Sequence, residues 1–461
     1  MVKVTTLGGS SGLRSIGPSC YVVDIDDKRI IVDCGIEPTL RGFIPPNLDY
    51  LRDGKLIDAV CLTHGHVDHI AYTPALIPFM KPDAKVFMTP QTAQTSSYVI
   101  EEQFKFGIRV KDLPFSMLDM FEFVQERISI IERPGVIEIL DGISAYAHPV
   151  GHIPGACGFI FKLPDGRKMM ISGDMSWHNQ PTVLGYQPMP DEWKPEILAG
   201  IDLTGVTVEK NPSWELEADR MGRDVREVME NGGSVAIAAF ANNKSQCVVS
   251  ALHQRGVTSY MEEGSAATIA RILSRNKWSD NDVLFDLGQL KMIEDFHHRR
   301  YLMGQKEPKV VTSPSGMCIG GHIREWLEVI LPDPNAALFF AGFVAEDSNG
   351  GRIINAKEQG KEEVTLVDNN GFGGEMETLP LRCRIGKYKL TSHGDGQSIF
   401  NWIEQIDPQI INLTHGTPAG KLYAASRLLK RNRKIFMNVG RHKVRTTREI
   451  NIKVQQFALQ T

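Results

Sequence analysis

Nowhere in these 461 residues is there an apolar run long enough to cross a bilayer, and none of the seven cysteines stands in a CxxC pair. The first absence argues against a transmembrane helix, so no membrane partner is expected. The second argues against both a disulfide framework and a structural zinc knuckle, since Cys20, Cys34, Cys61, Cys157, Cys247, Cys318 and Cys383 are odd in number and scattered. The opening MVKVTTLGGSSGLRS lacks the basic-then-apolar layout of a signal peptide, and a reducing cytoplasm is the expected location. Aromatic residues make up 8% and are not interleaved with Lys or Arg, so no base-stacking pattern is legible. A net charge of −4 gives no overall pull toward nucleic acid, although from Lys421 to Thr461 eleven Lys and Arg face one acid, Glu449. That stretch could line a phosphate path, or form a solvated helix face and a charged edge strand; sequence alone leaves both open.

The length exceeds what one hydrophobic core supports, so at least two domains are expected. Up to about Asp174 the chain reads as short strands between polar turns: KVTTLGG, SCYVVDID, KRIIVDCG, DAVCLTHG, AKVFMTP, ISAYAHPVGH, GFIFKLP and KMMISGD. Only Thr73 to Phe79 and Thr92 to Phe106 read as helical, which suggests packed sheets rather than a doubly wound fold. After Asn211 the texture changes. ELEADRMGRDVREVMENGG is an amphipathic helix stopped by Gly232-Gly233, and strand and helix then alternate as in a parallel sheet. Strand-like RCRIGKYKLTSHG follows from about Leu379. The expectation is an α/β chain of three segments: residues 1–210 begin a first domain, 211–378 form an α/β insertion, and 379–461 complete the first domain.

The segment that carries chemistry is Thr63-His64-Gly65-His66-Val67-Asp68-His69, directly after the strand DAVCL. Four metal-capable side chains fall within six residues, on a loop whose glycine allows irregular backbone. Imidazole nitrogen and carboxylate oxygen suit zinc, and three or four ligands leave room for a water. His152 in HPVGHIPGA, Asp174 in MISGD and His415 in IINLTHG share the same setting, a polar residue at the end of an apolar strand. Singly, each could be a capping or backbone-satisfied residue; together they point to one edge of a sandwich.

HxHxDH followed by an isolated His and then Asp resembles the metallo-β-lactamase superfamily, and Asp33 in IIVDCG matches its first motif, which supports the metal loop there. Glu209 in VTVEKN, His393 in KLTSHGDG and His415 in NLTHG, with an inserted α/β segment containing SPSGMCIGGH and AGFVAEDSNGGR, are similar to its β-CASP nuclease branch, which includes RNase J and the endonuclease subunit of mRNA 3′-end cleavage. The resemblance implies an αββα sandwich with an inserted β-CASP domain. It implies two zinc ions: one on His64, His66 and His152, the other on Asp68, His69 and His415, with Asp174 bridging. It further implies His393 as general acid, held by Glu209. Two features depart from the pattern: His415 continues as HGTPAG, and Glu209 is followed by Lys210-Asn211 where the branch commonly has Ser-Thr.

A histidine at the last motif is associated in this branch with RNA rather than DNA. The resemblance therefore implies a zinc-dependent ribonuclease that hydrolyses single-stranded RNA with a two-metal-activated hydroxide, cutting internally or from a 5′ end, possible also as a homodimer. A DNA nuclease on the same scaffold and a non-catalytic RNA-processing subunit are the alternatives. For substrate contacts the candidates are Ser313, Ser315 and Gly316, in a Gly-rich turn between strand and helix that could cradle phosphate or be a plain turn. Asn242-Asn243-Lys244, after SVAIAAFA, has a similar placement. His297-His298-Arg299-Arg300 reads as a solvated helix end.

Overall fold

Period-two alternation of large apolar side chains sets the layers. In a computed structural model, described for residues 1–9, 16–39, 42–110, 115–207, 210–367, 376–429, 433–437 and 456–459, two seven-stranded sheets stack face to face. The first runs in the order Gln456–Leu459, Val2–Thr6, Tyr21–Ile25, Lys28–Val32, Ile57–Cys61, Met80–Met88, Ile128–Ile130. The second runs Lys434–Met437, Ile410–Leu413, Ile197–Gly200, Lys168–Ile171, Cys157–Lys162, Ile143–Pro149, Gly135–Leu140. Between them lie Val4, Tyr21, Val23, Ile30 and Val32 of one sheet against Ala147, Phe159, Phe161, Ile171 and Ala199 of the other. The alternate residues face outward and are covered too. Val22, Ile31 and Val60 pack under Ile70, Leu76 and Ile100, while Ile160, Met170, Leu198 and Ile411 pack under Ile399, Trp402, Ile403 and Ala424. Strands buried on both faces read as near-continuous apolar runs, as in Ile30-Ile31-Val32 and GFIF. The result is a four-layered αββα sandwich.

The segment Thr73–Phe79 is a 3-10 helix containing Pro78, and Pro90–Val110 is the long helix. From Trp214–Glu230, capped by the Ser213 hydroxyl accepting from the Leu216 amide, the chain enters a second layered unit. Its six strands order as Leu290–Ile293, Ser259–Glu262, Val310–Ser313, Val235–Ala238, Ala337–Ala341, Arg384–Tyr388, each pair parallel. Alternation again separates two faces: Ala236, Leu338 and Phe340 pack on Trp326 and Leu327, and Val235, Ile237 and Phe339 pack on Val225, Val248 and Leu252. The edge strand Arg384–Tyr388 pairs with Ala337–Ala341, so the inserted sheet continues about ten residues beyond the return to the first domain read at 379. Its short alternating pattern looks the same in either sheet, and only the pairing partner decides. The chain then rejoins the sandwich through Gly396–Ile406 and Ile410–Leu413, and Gln456–Leu459 closes the first sheet against Val2–Thr6. Among the described residues no helix is long and apolar enough to cross a membrane.

Candidate metal centre

The metal loop is held from below by Asp33, which sits at φ 58° just past the strand Lys28–Val32. Its carboxylate accepts from the Thr63 amide (2.8 Å), the Thr63 hydroxyl (2.9 Å) and the Ser19 hydroxyl (3.2 Å). It also accepts from His69 Nδ1 at 2.7 Å, which fixes the imidazole with Nε2 facing inward. Gly35 is required beneath the loop, because a Cβ there would lie 1.8 Å from the Asp68 carbonyl carbon. Backbone bonds from Cys34 to the His69 carbonyl (2.7 Å) and from Ser19 to the Asp68 carbonyl (2.7 Å) complete the clamp. Asp33 thus ties Ser19, Thr63 and His69 together beneath the loop.

The seven candidate ligands converge. His64, His66, His152 and Asp174 offer ligand atoms within 4.8 Å of one another, and so do Asp68, His69 and His415. Asp174 joins the groups through its two oxygens. Oδ2 is 3.7 Å from His64 Nε2 and 3.6 Å from His152 Nε2, while Oδ1 is 3.3 Å from both His69 Nε2 and His415 Nε2. Asp68 Oδ2 lies 3.8 Å from His69 Nε2 and 3.7 Å from His415 Nε2.

The residues fit divalent ions on chemical grounds. His66 Nδ1 lies 3.1 Å from His64 Nε2 and 2.9 Å from His152 Nε2, a cluster of nitrogens that protons alone cannot all satisfy. Among the described residues, His69 Nε2 and Asp174 Oδ1 are buried without a hydrogen-bond partner. An unpartnered buried polar atom costs about 1–3 kcal/mol, and a bound cation removes that cost for every lone pair at once. Burial pushes His64 and His152 well below the ordinary imidazole pKa and His66 down to about 4, which leaves neutral nitrogens free to bind metal. At His69 burial works the same way but is outweighed by Asp174, Asp33 and Asp68, which raise it; Asp174 is in turn lowered, its own burial overcome by His415, His69 and His393.

His393 stands beside this cluster, its ring 4.7 Å from that of His152 and its side chain 24% exposed. Burial lowers its pKa, but Asp202 and Asp174 outweigh that and raise it to about 9. Its Nδ1 donates to Asp202 Oδ2 at 3.0 Å. The sequence reading gave that supporting role to Glu209, which lies outside the described residues; the carboxylate on His393 is that of Asp202. The reason is topological. Asp202 follows the strand Ile197–Gly200, which runs parallel to Lys168–Ile171, the strand that delivers Asp174, so both acids emerge at one sheet edge. Asp202 is fully engaged, accepting also from the Met175 amide (3.0 Å) and the Thr204 amide (2.8 Å). The signal was present in ILAGID, an apolar strand ending in an acid like MISGD. Asp202 also leads into Leu203-Thr204, nearer the Ser-Thr of the resembled motif than Lys210-Asn211.

The other candidates have the following surroundings. Ser313 Oγ donates to the Pro314 carbonyl (3.1 Å), Ser315 Oγ accepts from the Ile319 amide (3.0 Å), and a Cβ at Gly316 would lie 3.1 Å from the Phe240 nitrogen. Both hydroxyls are thus used inside their own turn. Arg299 corrects the reading of a solvated helix end: it is 4% exposed and pairs with Glu262 and Glu325. Most of the basic C-terminal stretch lies outside the described residues. Of its members within them, Lys421 is buried and Arg433 pairs with Glu404 and Asp407.

Comparison with known proteins agrees with this architecture. Three family descriptions match in succession: metallo-beta-lactamase superfamily over residues 15–223, Beta-Casp domain over 242–353, and Zn-dependent metallo-hydrolase RNA specificity domain over 378–438. The chain belongs to the metallo-β-lactamase superfamily, in its β-CASP branch. It is 25% identical to an RNase J-like protein of Methanocaldococcus jannaschii, over 88% of this chain and 91% of that protein. It is 24% identical to transcription termination factor FttA of the same organism, over 95% and 71%, and 26% identical to endoribonuclease YSH1 of Candida albicans, over 90% and 49%. A crystal structure of a protein of unknown function from Enterococcus faecalis V583 shares the fold, with TM-score 0.53 and 14% identity over 91% of this chain and 95% of that one.

Proposed function

We propose that this chain is a zinc-dependent ribonuclease that hydrolyses phosphodiester bonds of single-stranded RNA lying between the sandwich and the inserted domain. The observation that carries the reading is Asp174, whose two oxygens face two separate sets of ligands, with a hydrogen-bonded His393–Asp202 pair alongside. His64, His66 and His152 would hold one ion, Asp68, His69 and His415 the other, and Asp174 both. Two such ions supply an activated hydroxide near neutral pH and offset charge on the phosphorane-like transition state.

The remaining chemistry belongs to side chains. Asp33 and the Ser392 carbonyl bind the outer nitrogens of His69 and His152, so that both rings present Nε2 to the centre. His393, kept protonated by the neighbouring Asp202, donates a proton to the leaving oxygen. Asp202 keeps the imidazolium in place. The RNA preference draws on the match to an RNA specificity domain and on the endoribonuclease and RNase J-like names of the relatives.

Labelled RNA and matched DNA oligonucleotides incubated with the protein, with and without chelator, test the proposal. RNA cleavage that chelator abolishes and zinc restores is expected. Cleavage that ignores chelator, or a strict preference for DNA, overturns it. Circular RNA in the same assay separates internal cutting from digestion at a 5′ end.

A further inference from the structure

The inserted domain reaches the metal centre through the loop Ala241-Asn242-Asn243-Lys244, where the strand Val235–Ala238 leads into the helix Lys244–His253. Asn242 Nδ2 donates to the Gly65 carbonyl at 3.0 Å, between the ligands His64 and His66. Lys244 Nζ donates to the Leu390 carbonyl and, at 2.7 Å, to Ser392 Oγ. The Ser392 carbonyl accepts from His152 Nδ1 at 2.7 Å, and the next residue is His393. A second strand of bonds runs beside the first. Ser392 Oγ donates to Gln180 Oε1 (2.7 Å), Gln180 Nε2 donates to the His152 carbonyl (2.9 Å), and Asn243 Nδ2 reaches Gln180 Oε1 (3.4 Å).

Lys244 is a poor choice for stability. It is 7% exposed, sits at the first position of a helix where the backbone dipole disfavours a cation, and has no ion-pair carboxylate among the described residues. Burial lowers its pKa to about 8. Side chains that break local rules of this kind concentrate at functional sites. What Lys244 does hold is the segment that aims one ligand and carries the proton donor.

We propose that Lys244 and Asn242 are positioning residues of the metal centre, so that seating of the inserted domain assembles the ligands and metal affinity depends on it. This rests on the metal reading above. Lys244 fixes Ser392, and with it the orientation of the His152 ring and the place of His393; Asn242 fixes the backbone between His64 and His66. The inserted domain is then part of the metal site as well as a wall of the substrate cleft.

The test measures zinc affinity of the full-length wild type, K244M, K244R and N242A by competition with a chromophoric chelator, together with melting temperatures of the metal-free proteins. K244M should bind zinc about 10–100-fold more weakly, as for other groups that orient metal ligands, with its metal-free melting temperature little changed. K244R should recover most of the affinity, and N242A should weaken binding about 10-fold. Wild-type zinc affinity in both K244M and N242A overturns the proposal, as does K244M losing metal-free stability while keeping its affinity. Should K244M not fold, N242A decides alone by the same measure. A wild type that binds no divalent ion sinks the metal reading itself, whereas variants that match a zinc-binding wild type sink only this proposal.

Discussion

The two halves of the centre are built differently. The His64, His66, His152 set is all imidazole, and its His152 is aimed by a backbone carbonyl, that of Ser392, on a segment tied to the inserted domain. The Asp68, His69, His415 set contains a carboxylate that is 33% exposed, and its His69 is aimed by the buried Asp33 within the first sheet. One half thus relies on neutral nitrogens and on tertiary seating, the other on charge and on a local motif. The difference teaches that a single site can be assembled partly by sequence-adjacent residues and partly by the docking of a remote domain.

Replacing the shared residue should break both halves together. Asp174→Asn is expected to remove most bound zinc and lower turnover by about 10³-fold or more, several kcal/mol of transition-state stabilisation. Elemental analysis with single-turnover RNA cleavage checks it, and retention of two ions would contradict the bridging role.

A cut beside the ligands should separate binding from proton transfer. Asp202→Asn is expected to reduce kcat about 10²-fold with zinc content intact, since it weakens the support of a general acid. Glu209→Gln should leave kcat within a few fold; the opposite ranking would return the role to Glu209.

Asp33→Asn sharpens the comparison itself. Loss of its charge behind His69 should weaken zinc at the second half about 10–100-fold and disturb the first less, since His64 feels Asp33 only through Thr63. Stepwise zinc titration would reveal one site weakened more than the other, and equal weakening of both would erase the asymmetry.

The smallest effect expected is one of pH on the metal-free fold. His148 is pushed down to about 4 by burial, partly opposed by its bond to the Gln187 carbonyl. Between about pH 6.5 and 4 the unfolded chain then binds the proton that the folded chain refuses, so stability is full above 6.5 and falls as pH drops through that window. His148→Asn should flatten this part of the stability–pH curve in chelator; an unchanged slope would show that the group does not contribute.

Much of the ligand set was legible because its members share a local signature, an apolar strand ending in His or Asp. Asp202 bears the same signature in ILAGID, seven residues before Glu209, and was not singled out from the sequence. Choosing between two nearby acids requires knowing which strand end lies beside that of Asp174, and pairing between Ile197–Gly200 and Lys168–Ile171 is a non-local fact. The same limit hid the strand Arg384–Tyr388 within the inserted sheet. It also hid the burial of Arg299, because a run of His and Arg looks solvated until Glu262 and Glu325 are brought to it.

Local chemistry and periodicity were enough to establish the layered α/β fold and to pick out the donor residues of a candidate metal loop, because strand alternation and donor type are properties of neighbouring residues. Folding in three dimensions alone brought Asp202 to His393, set which oxygen of Asp174 faces which candidate ligands, and carried Asn242 and Lys244 to the centre from another domain. Those outcomes depend on contacts such as Asn242 with Gly65, His393 with Asp202 and His152 with Ser392, 177, 191 and 240 positions apart, which only tertiary packing closes.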